Sequence, residues 1–504
     1  MKRLSARLRA VQSGTWVVVG VFAVVRATYF FTGGGMATSL LQTSWQLLDL
    51  KQLRDDPFGS VALLHIQPPL FNLFVGSVER WGPIDPGGVY KVLYLLCGLV
   101  LVVSLRALLL ELGWSSLAST IGAAVVAASP VLLSYENTIT YELPVATAIV
   151  VAGLWCARYV RTRRTAHLVI LAAALTFATM TRALMHPLWL VGVLAFVLIV
   201  AHPERGWRAV VAGFAIPVVF AGGWMLKNQI LFDEPNLSSW LGDNLARGVI
   251  APMPKHEIKK LVRDGDLTHA ALVRGFASYD QYRPQIPRCR TDWTEPVVRR
   301  LVKHNGLSNF NAVCFLRVYH QEQENSLIAL RRLPADYLGT RYAPASVHFT
   351  QETAPGVEEF ADNWTFGFLD SVWSPFLLRT NVKIHDRGWT TPLIAHAPEP
   401  TAHPALGLVA ATLFVIGLGA VATFRVLRRR DSPADVAMAV LGGTVLFVFV
   451  VSVGTEFGEN ARFRVLVDPV VIGVTVAAIT DGIRRLVARR REGAEPDEAA
   501  PLPA

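Results

Sequence analysis

Long apolar runs decide what this chain can become. They fall near residues 15–34, 89–110, 116–134, 142–160, 165–182, 184–201, 208–226, 404–424, 434–455 and 465–483. An α-helix needs about 18 apolar residues or more to cross ~30 Å of hydrocarbon, so these runs predict about 10 transmembrane helices. Hydrophobic residues make up 52% of the chain and charged ones 17%, far too apolar for a soluble protein of 504 residues. Inside lipid only helices or closed barrels satisfy their own backbone, and no pattern of short alternating strands is present. The expected class is a polytopic α-helical membrane protein.

Positive charge orients the runs. Arg158, Arg161, Arg163 and Arg164 follow one run, Arg205 and Arg208 another, and Arg425, Arg428, Arg429 and Arg430 a third. Arg484, Arg485, Arg489, Arg490 and Arg491 close the last. Every second loop is basic, which places those loops and both termini in the cytoplasm. MKRLSARLR precedes a first run that is too long, and too lacking in a small-residue cleavage site, for a cut signal peptide. The net charge of +10 is parcelled into these loops, which argues against a nucleic-acid partner. The Ala-, Val- and Arg-rich composition points to a bacterium with GC-rich DNA, hence to the plasma (inner) membrane.

Two segments on the opposite side are large. Residues 35–88 form a first outside loop within a membrane module spanning 1–226. Within it, LHIQPPLFNLFVGSVERWG is a little short for a span and reads as a juxtamembrane or half-inserted helix starting at the prolines. Residues 227–403 are polar, mixed in composition and long enough for an extracytoplasmic domain. C-terminal membrane helices follow over 404–483, then a tail over 484–504 whose end, EGAEPDEAAPLPA, has the composition of a disordered segment. Cys97 and Cys156 lie in apolar runs. Cys289 and Cys314 share the 227–403 segment, where a disulfide is open to them if that side is oxidising.

Ionisable residues gather where helices meet the outside. GTEFGENARFRVLVDP, residues 454–469, carries Glu456, Glu459, Asn460, Arg462, Arg464 and Asp468. A charge near the membrane interior costs about 2.5–3.5 kcal/mol, so such groups face a protein interior or a cavity and pair there. Two guanidiniums can grip a phosphate, with Glu459 or Asp468 orienting them; the plainer alternative is an ion pair that pins two helices. SPVLLSYENTITYELP places Glu136, Asn137, Tyr141 and Glu142 between two runs, and Glu136 is a candidate general base. Arg182 and His186 occupy a short outside hairpin. Lys227 and Asn228 stand where the seventh run emerges beside Trp224. His65 and Gln67 flank the start of a double proline, and Asp49 sits in an apolar setting that raises a carboxyl pKa and suits a base.

The arrangement resembles the GT-C membrane glycosyltransferases, in particular the dolichyl-phosphate-mannose protein mannosyltransferases and the lipid A aminoarabinose transferases. The resemblance rests on His65-Ile66-Gln67-Pro68-Pro69-Leu70, like an H-P-P-L motif, and on Arg462-Phe463-Arg464 with Asp468-Pro469, like an R-[FY]-R-x-P motif. It covers the order of elements over most of 1–230 and 404–483. The chain departs from the family in lacking an acid soon after the first run, and in the Ile66-Gln67 interruption. Asp49 and Glu136 therefore share the candidacy for catalytic base.

The resemblance implies a GT-C-like fold and a polyprenyl-phosphate sugar donor. A carboxylate takes a proton from the acceptor hydroxyl as it attacks the anomeric carbon, with inversion. Arg462, Arg464, Lys227 and Arg182 stabilise the departing phosphate, and His65, Gln67, Asn228, Glu459 and Asn460 complete the binding set. The acceptor is an envelope glycan, lipid or protein. No cofactor is required by the sequence; a divalent metal remains open. The rival reading is a transporter or flippase for an anionic lipid-linked substrate, which also wants basic residues in an intramembrane cavity.

Overall fold

The computed structural model describes residues 2–82, 85–201, 207–286, 289, 291–350, 362–376, 404–428 and 432–492. Among the described residues the regular secondary structure is helical, with two isolated bridges, Ala37 to Thr138 and Val302 to Ser308. The chain is a polytopic helical membrane protein. Among the described residues six helices are long and apolar enough to cross a bilayer: Ser13–Phe31, Pro86–Glu111, Glu142–Thr162, Trp207–Phe232, Leu406–Leu427 and Pro433–Thr455.

Each remaining apolar run is also helical, but none makes a full straight span by length and apolarity. Ser116–Ala127 and Pro130–Glu136 bend by 55°. Ser129 caps the second piece by accepting from the Leu132 N–H, and Pro130 takes the first turn, where a missing N–H costs nothing. Thr165–Thr181 and Pro187–Ala201 are shorter, because Arg182 turns extended and Pro187 starts the next helix. Apart from Asp468 at its start, Asp468–Glu492 carries its charges in its second half. By length and apolarity, six helices, or seven with the bent pair, qualify as spans among the described residues, and the expected count of about 10 is not confirmed. The last helix also runs through 484–492, so that part of the expected tail is helical; 493–504 lie outside the described residues.

Glu142–Thr162 is the most enclosed span, with 78% of its apolar window buried. Pro86–Glu111, Thr165–Thr181 and Pro433–Thr455 pack around it. Lipid tails are as apolar as leucine, so helices associate in lipid through close packing of small residues. Leu406–Leu427 and Pro433–Thr455 show this directly. A Cβ on Gly419 would lie 2.7 Å from the Gly442 Cα, and one on Gly442 would lie 2.6 Å from the Gly419 Cα. In Trp207–Phe232, Pro217 precedes one wide turn, Val218–Gly222, as expected where a proline removes a ladder hydrogen bond.

The two large polar segments fold into one body. The first loop forms Leu40–Thr43, Leu50–Asp55, Pro57–Ala62 and Pro69–Trp81, the last starting at the second proline as expected. Its Leu47, Leu53, Phe71 and Val75 share one apolar cluster with Trp240, Phe276, Phe310 and Phe315 of the later segment. Polar groups reinforce the seam. Lys303 Nζ donates to the Ser44 and Leu47 carbonyls at 3.1 and 2.7 Å, and Asn311 Nδ2 donates to the Leu63 carbonyl at 3.0 Å. The 227–403 segment therefore does not hold its core alone. Cys289 and Cys314 form a disulfide, with Cα atoms 5.5 Å apart. Residues 351–361 and 377–403 of the expected domain lie outside the described residues.

Gly419→Leu forces the two helices apart, whereas Gly417→Leu, with no neighbour within 4 Å, does not. The first variant is expected to melt several degrees lower in detergent micelles, and the second like wild type. A second expectation concerns His65, fully buried at the seam. Its Nε2–H donates to the Asn311 carbonyl at 3.0 Å and its Nδ1 accepts from the Ser239 hydroxyl at 2.8 Å. Burial pushes its pKa down to about 3. The unfolded chain then binds the extra proton first, so stability is complete above about pH 6.5 and declines as pH falls toward 3. Between pH 7.5 and 5 this group contributes a loss of about 2 kcal/mol. Thermal melts of His65→Gln across that range should show a shallower acid decline than wild type.

Candidate functional site

Where the membrane helices meet the body made by the two polar segments, a cavity of about 940 Å³ opens. Its charged lining consists of Arg182, His186, Arg247, Glu456, Glu459 and Arg462. Four separate parts of the sequence supply the cluster. Arg182 ends Thr165–Thr181 and His186 shares its hairpin, Arg247 lies in the wide turn Ala246–Ile250, and Glu456, Glu459 and Arg462 follow Pro433–Thr455. Glu142, in the first turn of Glu142–Thr162, lies beneath them. A carboxylate there is favoured by the positive end of the helix dipole.

Glu142 bridges two guanidiniums. Its Oε1 is 2.7 Å from Arg462 Nε and 3.7 Å from Arg182 Nη1. Arg182 also lies between aromatic rings, 4.2 Å from the Tyr141 centroid and 4.6 Å from that of Phe463. Arg247 pairs with Glu456, lies 3.9 Å from Glu459 and sits 5.0 Å over the Phe276 ring. Glu459 is 3.7 Å from Arg462. Gly248 lets the Arg247 turn close on this loop, since its Cα side faces the Thr455 carbonyl and the Glu456 N–H with no room for a Cβ.

Burial and charge set the ionisation of these groups. Burial, with the nearby Arg462 cation, holds Arg182 down at about 9, which makes it an under-compensated cation in the cluster. Burial raises Glu456 above the usual carboxylate range despite Arg247. Burial also acts upward on Glu459, but Arg462, Arg247 and Arg182 outweigh it and keep that carboxyl low and ionised. Among the described residues no three His, Cys, Asp or Glu side chains cluster as a metal site.

The expected site residues separate into two groups. Gln67, Arg182, Glu459 and Arg462 line the cavity. The others have different surroundings. Glu136 is fully buried against Arg26, with both guanidinium contacts at 2.7 Å, and joins the first helix to the bent one. Asp49 caps Leu50–Asp55 and accepts from the Lys51 N–H at 3.0 Å and the His304 N–H at 2.8 Å, and its carboxylate also pairs with the His304 ring. Burial acts upward on its pKa, but the His304 and Lys51 hydrogen bonds win and the carboxyl is lowered, opposite to the expected rise. His65 is locked at the seam.

Lys227 donates to the Leu64 carbonyl at 2.6 Å and lies 3.6 Å over the Trp224 ring. Asn228 donates to the Asn236 carbonyl at 2.6 Å. Asn460 donates to the Ser452 and Glu456 carbonyls at 2.8 and 3.1 Å and so closes the turn. Arg464 points away from Arg462, because positions two apart on a helix lie on opposite sides. It pairs with Asp468 at 2.9 Å and donates to the His348 and Thr350 carbonyls.

Sequence reasoning did not select Arg247, Tyr141, Glu142 or Glu456 for the site. The last three lie in stretches already singled out for their charge. Arg247 sits in LARGVIAP, where only a solitary cation in an apolar context marks it.

No family model matches the chain, and no curated protein does. Among solved structures it is similar to the crystal structure of ArnT from Cupriavidus metallidurans bound to undecaprenyl phosphate. That match has 15% identity and a TM-score of 0.34, over 89% of this chain and 78% of that one. A TM-score of 0.34 does not establish a common fold.

The Arg26–Glu136 geometry yields its own test. Glu136→Gln leaves a buried guanidinium without its counter-charge, an expected loss of about 3–5 kcal/mol. The Arg26→Met, Glu136→Met double variant should recover most of that loss in detergent melts, as a purely structural pair requires.

Proposed function

We propose that this chain is a GT-C type glycosyltransferase that moves a sugar from a polyprenyl-phosphate donor to a cell-envelope acceptor on the outer face of the plasma membrane. One observation carries the reading: three guanidiniums from distant segments face a single cavity whose wall continues onto the membrane helices. Leu188, Phe447 and Val451 extend the lining along Pro187–Ala201 and Pro433–Thr455. A phosphate held by Arg182 and Arg462 would place a lipid tail against that apolar wall. The motif resemblance of residues 65–70 and 462–469 supports the same donor.

The chemistry follows from the lining. The acceptor oxygen forms a bond to the anomeric carbon while the bond from that carbon to the lipid-phosphate oxygen breaks. The leaving phosphate keeps the electron pair, and Arg182 and Arg462 stabilise its growing charge at low dielectric. Glu459 takes the acceptor proton; its side chain is 21% exposed, against 2% for Glu456, and it is kept ionised. Glu456 holds Arg247. Single displacement inverts the anomeric centre. Asp49 and Glu136 hold the scaffold around this machinery.

Two features support an outer-face site. Basic loops lie at the opposite helix ends. The Cys289–Cys314 disulfide belongs to the cavity-side body and suits an oxidising compartment.

The test is release of free polyprenyl phosphate from a labelled polyprenyl-phosphate pentose or hexose by purified protein with an envelope extract as acceptor. Arg182→Ala and Arg462→Ala should each lower turnover about 10²–10³-fold. Glu459→Gln should lower it about 10²–10⁴-fold while leaving polyprenyl-phosphate binding in place. Wild-type turnover in both Arg182→Ala and Glu459→Gln would overturn the assignment. Labelled donor crossing vesicles without sugar transfer would establish the transporter instead.

A further inference from the structure

The charged lining of the cavity comes from the 182–186 hairpin, Arg247 and the 456–462 loop; the residues that 39–46, 67–71 and 236–244 present to it are uncharged, Asp243 being buried behind them. That wall is aromatic and rigid. Trp45 stacks on Phe276 with ring centroids 5.7 Å apart and planes at 26°, and Trp240 meets Phe276 edge-on at 5.1 Å. Trp240 is fixed by its indole N–H, which donates to the Tyr319 hydroxyl at 3.1 Å; that hydroxyl in turn donates to the Phe310 carbonyl at 2.7 Å. The polar residues that these segments add to the lining are neutral, among them Ser44, Gln46, Gln67 and Asn244.

The aromatic wall adjoins the reactive cluster. Arg247 lies over the same Phe276 ring that Trp45 and Trp240 touch, and its other partners are Glu456 and Glu459. The Gln46 amide accepts from the Tyr141 hydroxyl, whose ring packs on Arg182. A molecule lying on the wall therefore ends beside Arg247, which itself lies 3.9 Å from Glu459.

We propose that this wall is the acceptor subsite and that the acceptor is a neutral glycan; this inference rests on the transfer reaction proposed above. A sugar ring offers an apolar C–H face to an aromatic ring and hydroxyls to amides and alcohols, which is the chemistry displayed here. An anionic acceptor would face the uncharged groups of this wall, and the cation against it, Arg247, is already engaged by Glu456 and Glu459, so little offsets the cost of desolvating the charge. An extended peptide would want a strand edge for backbone pairing, and none occurs among the described residues.

The experiment is saturation-transfer NMR on the full-length protein in detergent. The probes are mannotetraose, arabinotetraose, galactotetraose and maltotetraose, a phosphorylated mannose oligosaccharide, and a Ser/Thr-rich peptide. Undecaprenyl phosphate binding is measured in parallel. At least one neutral tetrasaccharide should bind through its ring C–H protons. Trp45→Ala should weaken it about tenfold or more, and Trp45→Tyr should restore most of the affinity, which separates loss of stacking from loss of fold. Undecaprenyl phosphate should bind all three proteins alike.

Binding of the peptide or the phosphorylated probe alone would overturn the subsite, as would binding of no probe by a protein that still takes undecaprenyl phosphate. An undiminished tetrasaccharide signal in Trp45→Ala would overturn it too. Failure of the wild-type protein to bind undecaprenyl phosphate would instead overturn the donor reading on which it rests.

Discussion

Charge compensation in a dry place governs this molecule. Buried Arg182 and half-buried Arg462 both pair with the fully buried Glu142, and Arg247 is held by Glu456 and Glu459. Removing such groups from water is costly unless each finds a partner. The cluster therefore exists only if the Thr165–Thr181 helix end, the Glu142–Thr162 helix start, the loop after Pro433–Thr455 and the Arg247 turn converge. The pairing is also incomplete. Arg182 has its carboxylate at 3.7 Å and aromatic faces on either side, which leaves room for the guest anion proposed above.

Convergence has its own support. The 35–82 loop and the later polar segment share an apolar cluster and a seam of side-chain to backbone hydrogen bonds. Lys303, although buried to the point where its pKa falls to about 8, captures two carbonyls of the stretch that carries Trp45 and Gln46. The aromatic wall is thus the cavity-facing side of this body, held from behind by its buried core. On the membrane side, Asn460 closes the Glu456–Arg464 turn on Ser452, and Arg464 ties it to His348 and Thr350. Arg462 and Arg464 divide the labour: one faces the cavity and the other fastens the loop.

Much of this was legible from residue order. Apolar runs marked each membrane helix, the double proline marked the start of Pro69–Trp81, and the shared segment of Cys289 and Cys314 allowed their bond. Charges at helix ends marked Arg182, Glu459 and Arg462. What stayed hidden depended on direction and distance. Nothing local tells that Glu136 turns to Arg26 while Glu142, six positions on, turns to Arg462; the break before Glu142–Thr162 decides it. Full span length was also unreadable, because the Thr165–Thr181 and Pro187–Ala201 helices surrender residues to the hairpin that carries Arg182. Arg247 was invisible for a different reason. Its partners are more than 200 positions away, and its approach depends on a glycine that clears the backbone of the facing loop.

The central claim is that the Arg182–Glu142–Arg462 cluster is a seat for a lipid phosphate. Cryo-electron microscopy of the full-length protein in nanodiscs with undecaprenyl phosphate tests it most directly. The account predicts phosphate density with oxygens within about 3.2 Å of both guanidiniums, and the isoprenoid chain along Pro187–Ala201 and Pro433–Thr455. A head group resting at Arg464 or among the basic loops near 158–164 and 425–430, with Arg182 and Arg462 still holding only Glu142, would contradict it.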